Sequence, residues 1–294
     1  MSSRRTGGAG PAGAPEVAVR AEAVLGEGPT WDADGGRLLW VDILSSRVHT
    51  LDPATGVRTV RATEQHVGAA KPRAGGGLVV NLRDGVGLYA PDGAFSWLHR
   101  DPVPGRRAND AAVAPDGALW AGTMRYDERT GGGTLSRLTG DGQRVTVLPD
   151  VSVSNGTGWS PDGTLMYYVD TPTRRIDVFD VRDDGGLGAR RTLAEVEEGA
   201  GWPDGLTVDA EGCVWVALWD GGAVRRYTPR GELDLVLPVP VRRPTACGFG
   251  GAPLRDLYVT TARAGVAPAE QPLAGSLLVF PNAGSGQPGV PFAG

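Results

Sequence analysis

A hairpin pattern recurs along this chain with gaps of 40, 42, 46, 49 and 41 residues between successive units. A period of that length restricts the fold to a ring or a stack of similar β units. The segment GPTWDADGGRLLWVDI is echoed by NDAAVAPDGALWAGTM, NGTGWSPDGTLMYYVD and PDGLTVDAEGCVWVALW. Each reads as a short strand, a turn built on Asp-Gly or a near variant, and an apolar strand with Trp or Tyr near its middle. A third strand follows, as in RVHTLDPATG and AVRRYTPRG, and a fourth, as in VRTVRATE and ELDLVLPVP. Four antiparallel strands make a propeller blade. First strands begin near Glu27, Val67, Asn109, Asn155, Asp204 and Thr245, so the pattern predicts six blades. The last unit is short of a fourth strand, whereas EVAVRAEAV, ahead of Glu27, is a strand without a blade. Lending it to the last blade closes the ring and removes exposed edges. The expected architecture is an all-β six-bladed propeller closed by its N-terminal strand, one domain over residues 16–294 behind a disordered tail at residues 1–15.

Composition agrees with short strands and frequent turns: 46 Gly and 23 Pro are too many for a helical bundle, and 40% apolar residues suffice for a core. The formal charge is −5 with no basic block beyond short Arg pairs, which argues against nucleic acid or an anionic membrane as partner. A small neutral or polar ligand, with or without a cation, fits better. Cys213 and Cys247 lie in separate strand-like segments without CxxC spacing, so they read as two buried thiols. No secretion signal and no apolar run of about 18 residues is present, and the expected location is the cytoplasm. His49, His66 and His99 share no metal-ligand spacing, and only His66 falls where it can reach the channel mouth. There is no G-x-S-x-G elbow, and RTGGGT lacks the G-K-[ST] of a phosphate loop. Trp40, Trp120, Trp159 and Trp215 fall at hairpin phase and read as inter-blade packing. Trp31 and Trp202 adjoin Glu27 and Asp204 and are candidate pocket walls.

The first strand of each blade lines the central channel, so residues at its start crowd around one mouth. Glu27, Asn109, Asn155 and Asp204 occupy nearly the same phase in four units. Asp and Asn at strand starts also serve as turn formers that bond their own backbone. Four at one phase favour convergence instead. Two carboxylates and two amide oxygens gathered on an axis make a hard, oxygen-rich site suited to a divalent cation such as calcium, magnesium or manganese. Glu27 sits between Gly26 and Gly28, where the backbone can bend sharply to present it.

Six linked motifs carry a resemblance: LGEGPTWDADGGRLLWVDI, RxND at Arg107 to Asp110, WAGTM at Trp120 to Met124, SNGTGWSPDG at Ser154 to Gly163, PDGLTVDAEGCVWVALWDGG at Pro203 to Gly222, and CGFGG with LYVTTAR. In this order, from about Val24 to Ala262, they resemble the regucalcin/gluconolactonase family of six-bladed propellers. The resemblance implies a lactonase that opens sugar-type lactones to hydroxy acids with one divalent metal, calcium first, with zinc, magnesium or manganese as alternatives. It implies Glu27, Asn155 and Asp204 as metal ligands and Arg107 and Asn109 as substrate contacts. After GTM many relatives carry an acidic residue that meets sugar hydroxyls. Here Arg125 and Tyr126 intervene, leaving Asp127 and Glu128 as the candidates for that contact. Asp204 is the expected proton acceptor from the attacking water, Arg107 the expected clamp on a ring or carbonyl oxygen, and Asn109 the expected holder of a hydroxyl or a water. Two rivals remain: a non-catalytic propeller that holds calcium or a protein partner, and a phosphotriesterase or aryl esterase on the same scaffold.

Overall fold

The computed structural model describes residues 13–267 and 269–294. Residues 1–12 of the expected N-terminal tail lie outside them. Among the described residues there are six four-stranded antiparallel sheets, five of them ordered from inner to outer strand as the chain runs. The inner strands are Gly26–Asp32, Val67–Pro72, Arg106–Val113, Ser154–Trp159, Trp202–Val208 and Pro244–Gly250. In the sixth sheet the outermost place is taken by Glu16–Val19, which pairs antiparallel with Leu277–Phe280. The ring is therefore closed by the N-terminal strand, as the repeat count predicts. Among the described residues the only helical element is the single 3-10 turn Thr171–Thr173. Among the described residues no helix is long and apolar enough to cross a membrane.

The apolar residues divide into six clusters, one at each junction between neighbouring blades. Trp120 and Trp159 meet edge to face, 6.0 Å apart, between the third and fourth blades. Trp215 and Phe249 do the same at 5.6 Å between the fifth and sixth. Trp40 lies with Tyr258 between the first and sixth blades. Large aromatics at hairpin phase thus fill the wedge-shaped gaps that the twist of each sheet leaves. Cys213 and Cys247 are buried free thiols.

Each inner strand carries a register shift against its neighbour, at one phase: between Glu27 and Thr30, Val67 and Ala69, Ala108 and Ala111, Ser154 and Thr157, Pro203 and Leu206, and Pro244 and Ala246. A β-bulge leaves residues unpaired and re-aims their side chains. Asn109, Asn155 and Asp204 fall within such bulges and Glu27 opens one. The glycine after the polar residue has its own reason in SNG and PDG. A Cβ on Gly156 would lie 2.6 Å from the Leu206 backbone nitrogen, and one on Gly205 2.4 Å from the Ala246 side chain. Only glycine lets neighbouring inner strands close to that distance around the axis.

Residues 285–294 cross the opposite mouth. Gly286 bridges to Asp209, Gln287 donates to the Trp159, Val208 and Asp209 carbonyls, and the fully buried Phe292 pairs with Arg73. Beneath this strap lies a cavity of about 490 Å³, larger than the one at the bulged mouth, but none of the in-phase acid and amide residues lines it.

Candidate functional site

At the bulged mouth a cavity of about 270 Å³ is lined by Glu27, Arg107, Asn109, Glu128, Asn155 and Asp204. Glu27, Asn109, Asn155 and Asp204 retain only 4–5% exposure, so every unpaired oxygen among them is costly. Asn155 Oδ1 and Asp204 Oδ1 are buried without any hydrogen-bond partner. The orientation of the Asn155 amide is dictated by its surroundings. The Thr171 hydroxyl donates to the Pro203 carbonyl at 2.9 Å and accepts from Asn155 Nδ2 at 3.0 Å. With its proton committed, Thr171 can only accept from Asn155, which turns the amide oxygen into the cavity. Glu27 Oε2 accepts from the Gly28 amide at 3.0 Å.

Burial raises the Glu27 carboxyl well above the ordinary range, and the negative charges of Asp204 and Asp110 push it further. Asp204 is raised likewise, by burial first and then by Asp110. Carboxylates gathered so closely repel one another, and a cation between them relieves the repulsion. Oxygen donors alone, two of them orphaned, fit a hard divalent cation.

Asn109 is placed differently from the other three. Its Oδ1 accepts from Arg107 Nη1 at 2.7 Å and its Nδ2 donates to the Ser154 carbonyl at 2.9 Å. It fixes Arg107 against the cavity, ties the third blade to the fourth and itself lines the cavity. Asp127 requires a correction: its carboxylate is exposed, held by Arg125 at 2.7 and 2.6 Å, and does not line the cavity. Glu128, in the left-handed region at φ 55°, turns in and does line it. His66 Nδ1 lies 2.7 Å from the Tyr126 hydroxyl and stays on the rim. Of the two candidate tryptophans, Trp202 walls this cavity and Trp31 the opposite one.

Four further residues that pattern reading did not single out bear on this site: Thr171 and Trp219 line the cavity, while Asp110 and Lys71 act on it through their charges, Lys71 itself lining the opposite cavity. Asp110 adjoins Asn109 in the RxND motif; burial raises it and Lys71 opposes that rise. Lys71 donates to Thr30 Oγ1 at 2.7 Å, and burial pushes its ammonium down against the pull of Asp110 and Glu27. Thr171 aligns Asn155, and Trp219 completes the cavity wall. Among the described residues one other group of potential ligand atoms clusters, Asp209, Glu211 and Cys213. There Asp209 is already filled by the Cys213 amide and the Trp215 indole, and the Arg226 guanidinium bonds both Asp209 and Glu211. A protein cation holds the place a metal would take.

The fold and site define a class: a closed six-bladed propeller with an axial cluster of oxygen-bearing side chains at one mouth. Residues 25–263 match the family model described as SMP-30/gluconolactonase/LRE-like region. A 6-deoxy-6-sulfogluconolactonase of Pseudomonas putida is 38% identical over 249 residues, covering 83% of this chain and 86% of that one. The pentonolactonase XacC of Haloferax volcanii is 36% identical over 239 residues, 81% of each. The crystal structure of a regucalcin from Agrobacterium tumefaciens, described as a calcium-binding protein, superposes with a TM-score of 0.91 at 30% identity, covering 96% of this chain and 98% of that one. The chain belongs to the SMP-30/gluconolactonase/LRE-like family.

Proposed function

We propose that this protein is a divalent-metal-dependent lactonase that hydrolyses sugar-type lactones to hydroxy acids. The observation that carries the reading is the pair of orphaned buried oxygens, Asn155 Oδ1 and Asp204 Oδ1, beside the raised carboxyl of Glu27. Relatives named as lactonases supply the substrate class. Glu27, Asn155 and Asp204 would hold the ion, with calcium our first choice because a related structure is described as calcium-binding. Bound there, a divalent cation polarises a lactone carbonyl and makes water more acidic. Asp204 accepts the proton released by the attacking water. Arg107, kept in place by Asn109, donates to an oxygen of the lactone, and its buried guanidinium acts with little screening. Glu128 accepts from sugar hydroxyls at the rim. Trp202 and Trp219 exclude water from the opposite side.

A panel of aldonolactones, a phosphotriester and an aryl ester, each assayed with and without a chelator, tests this. Chelator-sensitive opening of the aldonolactones alone is expected. Turnover of the phosphotriester or aryl ester instead moves the chain to another hydrolase class, and no turnover with tight calcium binding favours a binding propeller.

A smaller effect is expected at Thr171. Thr171→Val keeps the shape but removes the hydroxyl, freeing the Asn155 amide to rotate. Calcium affinity measured by calorimetry should fall about 10- to 100-fold, the usual range for a group that orients a ligand, and Thr171→Ser should restore it. Equal affinity in Thr171→Val would mean that the amide is aligned by something else.

A further inference from the structure

Trp202 and Trp219 are direct partners across neighbouring strands of the fifth blade, so their side chains leave the sheet on one face, side by side. Both line the bulged-mouth cavity and both are partly exposed. Each indole is backed by an arginine that does not line the cavity. The Arg174 guanidinium carbon lies 3.7 Å from the Trp202 ring centre, and that of Arg243 lies 4.7 Å from the Trp219 ring centre. The arginines are themselves tied down. Arg174 Nη1 donates to the Gly201 carbonyl at 3.0 Å, and Arg243 donates to Asp220 Oδ1 at 2.8 Å and to the Ala264 carbonyl. Trp219 also packs against the apolar cluster that holds Leu25 and Ala262, so the positions of both rings are set before any ligand arrives, and the part of each that stays uncovered lines the cavity.

Trp202 stands two residues from Asp204 and so adjoins the reacting centre. Trp219 lies on the next strand, and the wall is two indoles wide, wider than a single lactone ring covers. The rest of the lining is mixed: Arg107 and Glu128 bring polar groups among the apolar Leu25, Met124 and Val153, and the hydrogen-bonded pair of Tyr126 and His66 lies outside it. A ligand that fills this space turns hydroxyls to one side and a C–H face to the other. We propose that Trp219 forms a stacking subsite for a second sugar ring, so that the protein takes lactones substituted with a glycosyl group, such as those derived from oxidised disaccharides. The assignment rests on the lactonase reading of the same cavity and adds the substituent that the cavity selects.

The test compares the lactone of cellobionic acid with gluconolactone in the calcium-loaded enzyme. The cellobionic lactone should show a KM about tenfold lower, about 1.4 kcal/mol of added binding. Trp219→Ala should lower the ratio of kcat/KM between the two substrates about tenfold, through KM, and Trp219→Phe should restore most of it. Equal KM values in the unaltered enzyme, a ratio unmoved by Trp219→Ala, or preference for dihydrocoumarin, an aryl lactone, would overturn the subsite. Calorimetry with the ring-opened acids separates the two readings. Cellobionate binding tighter than gluconate and dependent on Trp219 upholds the subsite even if no lactone is opened, whereas equal binding of the two acids overturns it even if gluconolactone is opened.

Discussion

Replacing Asp204 with alanine should remove calcium binding and lactone hydrolysis together. The residue contributes one of the two orphaned oxygens and the proton acceptor, so two functions leave with one side chain. A cation that polarises a carbonyl stabilises the transition state by several kcal/mol, and each 1.36 kcal/mol is tenfold in rate, so a loss of at least about 1,000-fold is expected. Asp204→Asn separates the roles: an amide oxygen still binds the ion, though more weakly, but does not accept the proton. The expected order is unaltered enzyme, then Asp204→Asn with detectable calcium binding and little turnover, then Asp204→Ala with neither. Retention of full activity in Asp204→Ala, checked with a chelator control for contaminating hydrolase, would refute the assignment of the site.

The repeat announced the architecture because blade packing depends on features that are local in sequence: the Asp-Gly turns, the aromatic at mid-strand and the glycine that lets inner strands approach. The same locality made Glu27, Asn155 and Asp204 visible. The bulges fall at one phase in every inner strand, so counting from the strand start placed these residues at the same mouth. Asn109 shares that phase, but its pairing with Arg107 depends on a contact two residues away that phase does not encode. In the loop after Met124, Asp127 and Glu128 are equivalent on paper. Which of them faces the cavity is decided by the Arg125 fork closing on Asp127 and by the left-handed backbone at Glu128. Lys71 sits in VGAAKP, an ordinary strand sequence, and becomes a half-buried, desolvated charge only once the ring encloses it. Thr171 acts through an amide 16 residues earlier in the chain and a carbonyl 32 residues later. Trp219, one of eight tryptophans, has the composition of core and the position of a wall.

Chelation should make the stability of this protein depend on pH in a direction opposite to that of most acidic proteins. In the metal-free state the Glu27 and Asp204 carboxyls are raised well above their ordinary values by burial and by the charges around them. A carboxyl raised on folding binds more protons in the native than in the unfolded chain, so its contribution to stability falls as pH rises. The loss starts near the ordinary carboxyl pKa of about 4 and ends above the raised native value. Carboxylates held low act in the opposite sense: Asp84 and Glu197, each at about 2 beside an arginine, contribute stability above pH about 4 that is lost only as acid protonates them. Asp84 is buried and Glu197 exposed, but neither lines the cavity, so they affect the loaded and chelated proteins alike. The difference between the two melting curves isolates the axial pair. Calcium held by the ionised carboxylates would offset their mutual repulsion, and at 100 times its Kd a ligand adds about 2.7 kcal/mol to stability. The melting temperature with calcium minus that with chelator should therefore be small near pH 5 and widen by several degrees toward pH 8, chiefly because the chelated protein weakens. The double variant Glu27→Gln/Asp204→Asn removes both titrating groups, and its difference should be flat across the same range. A calcium increment in the unaltered protein that stays constant with pH would mean that the two carboxyls do not share one ion, whatever else the cavity binds.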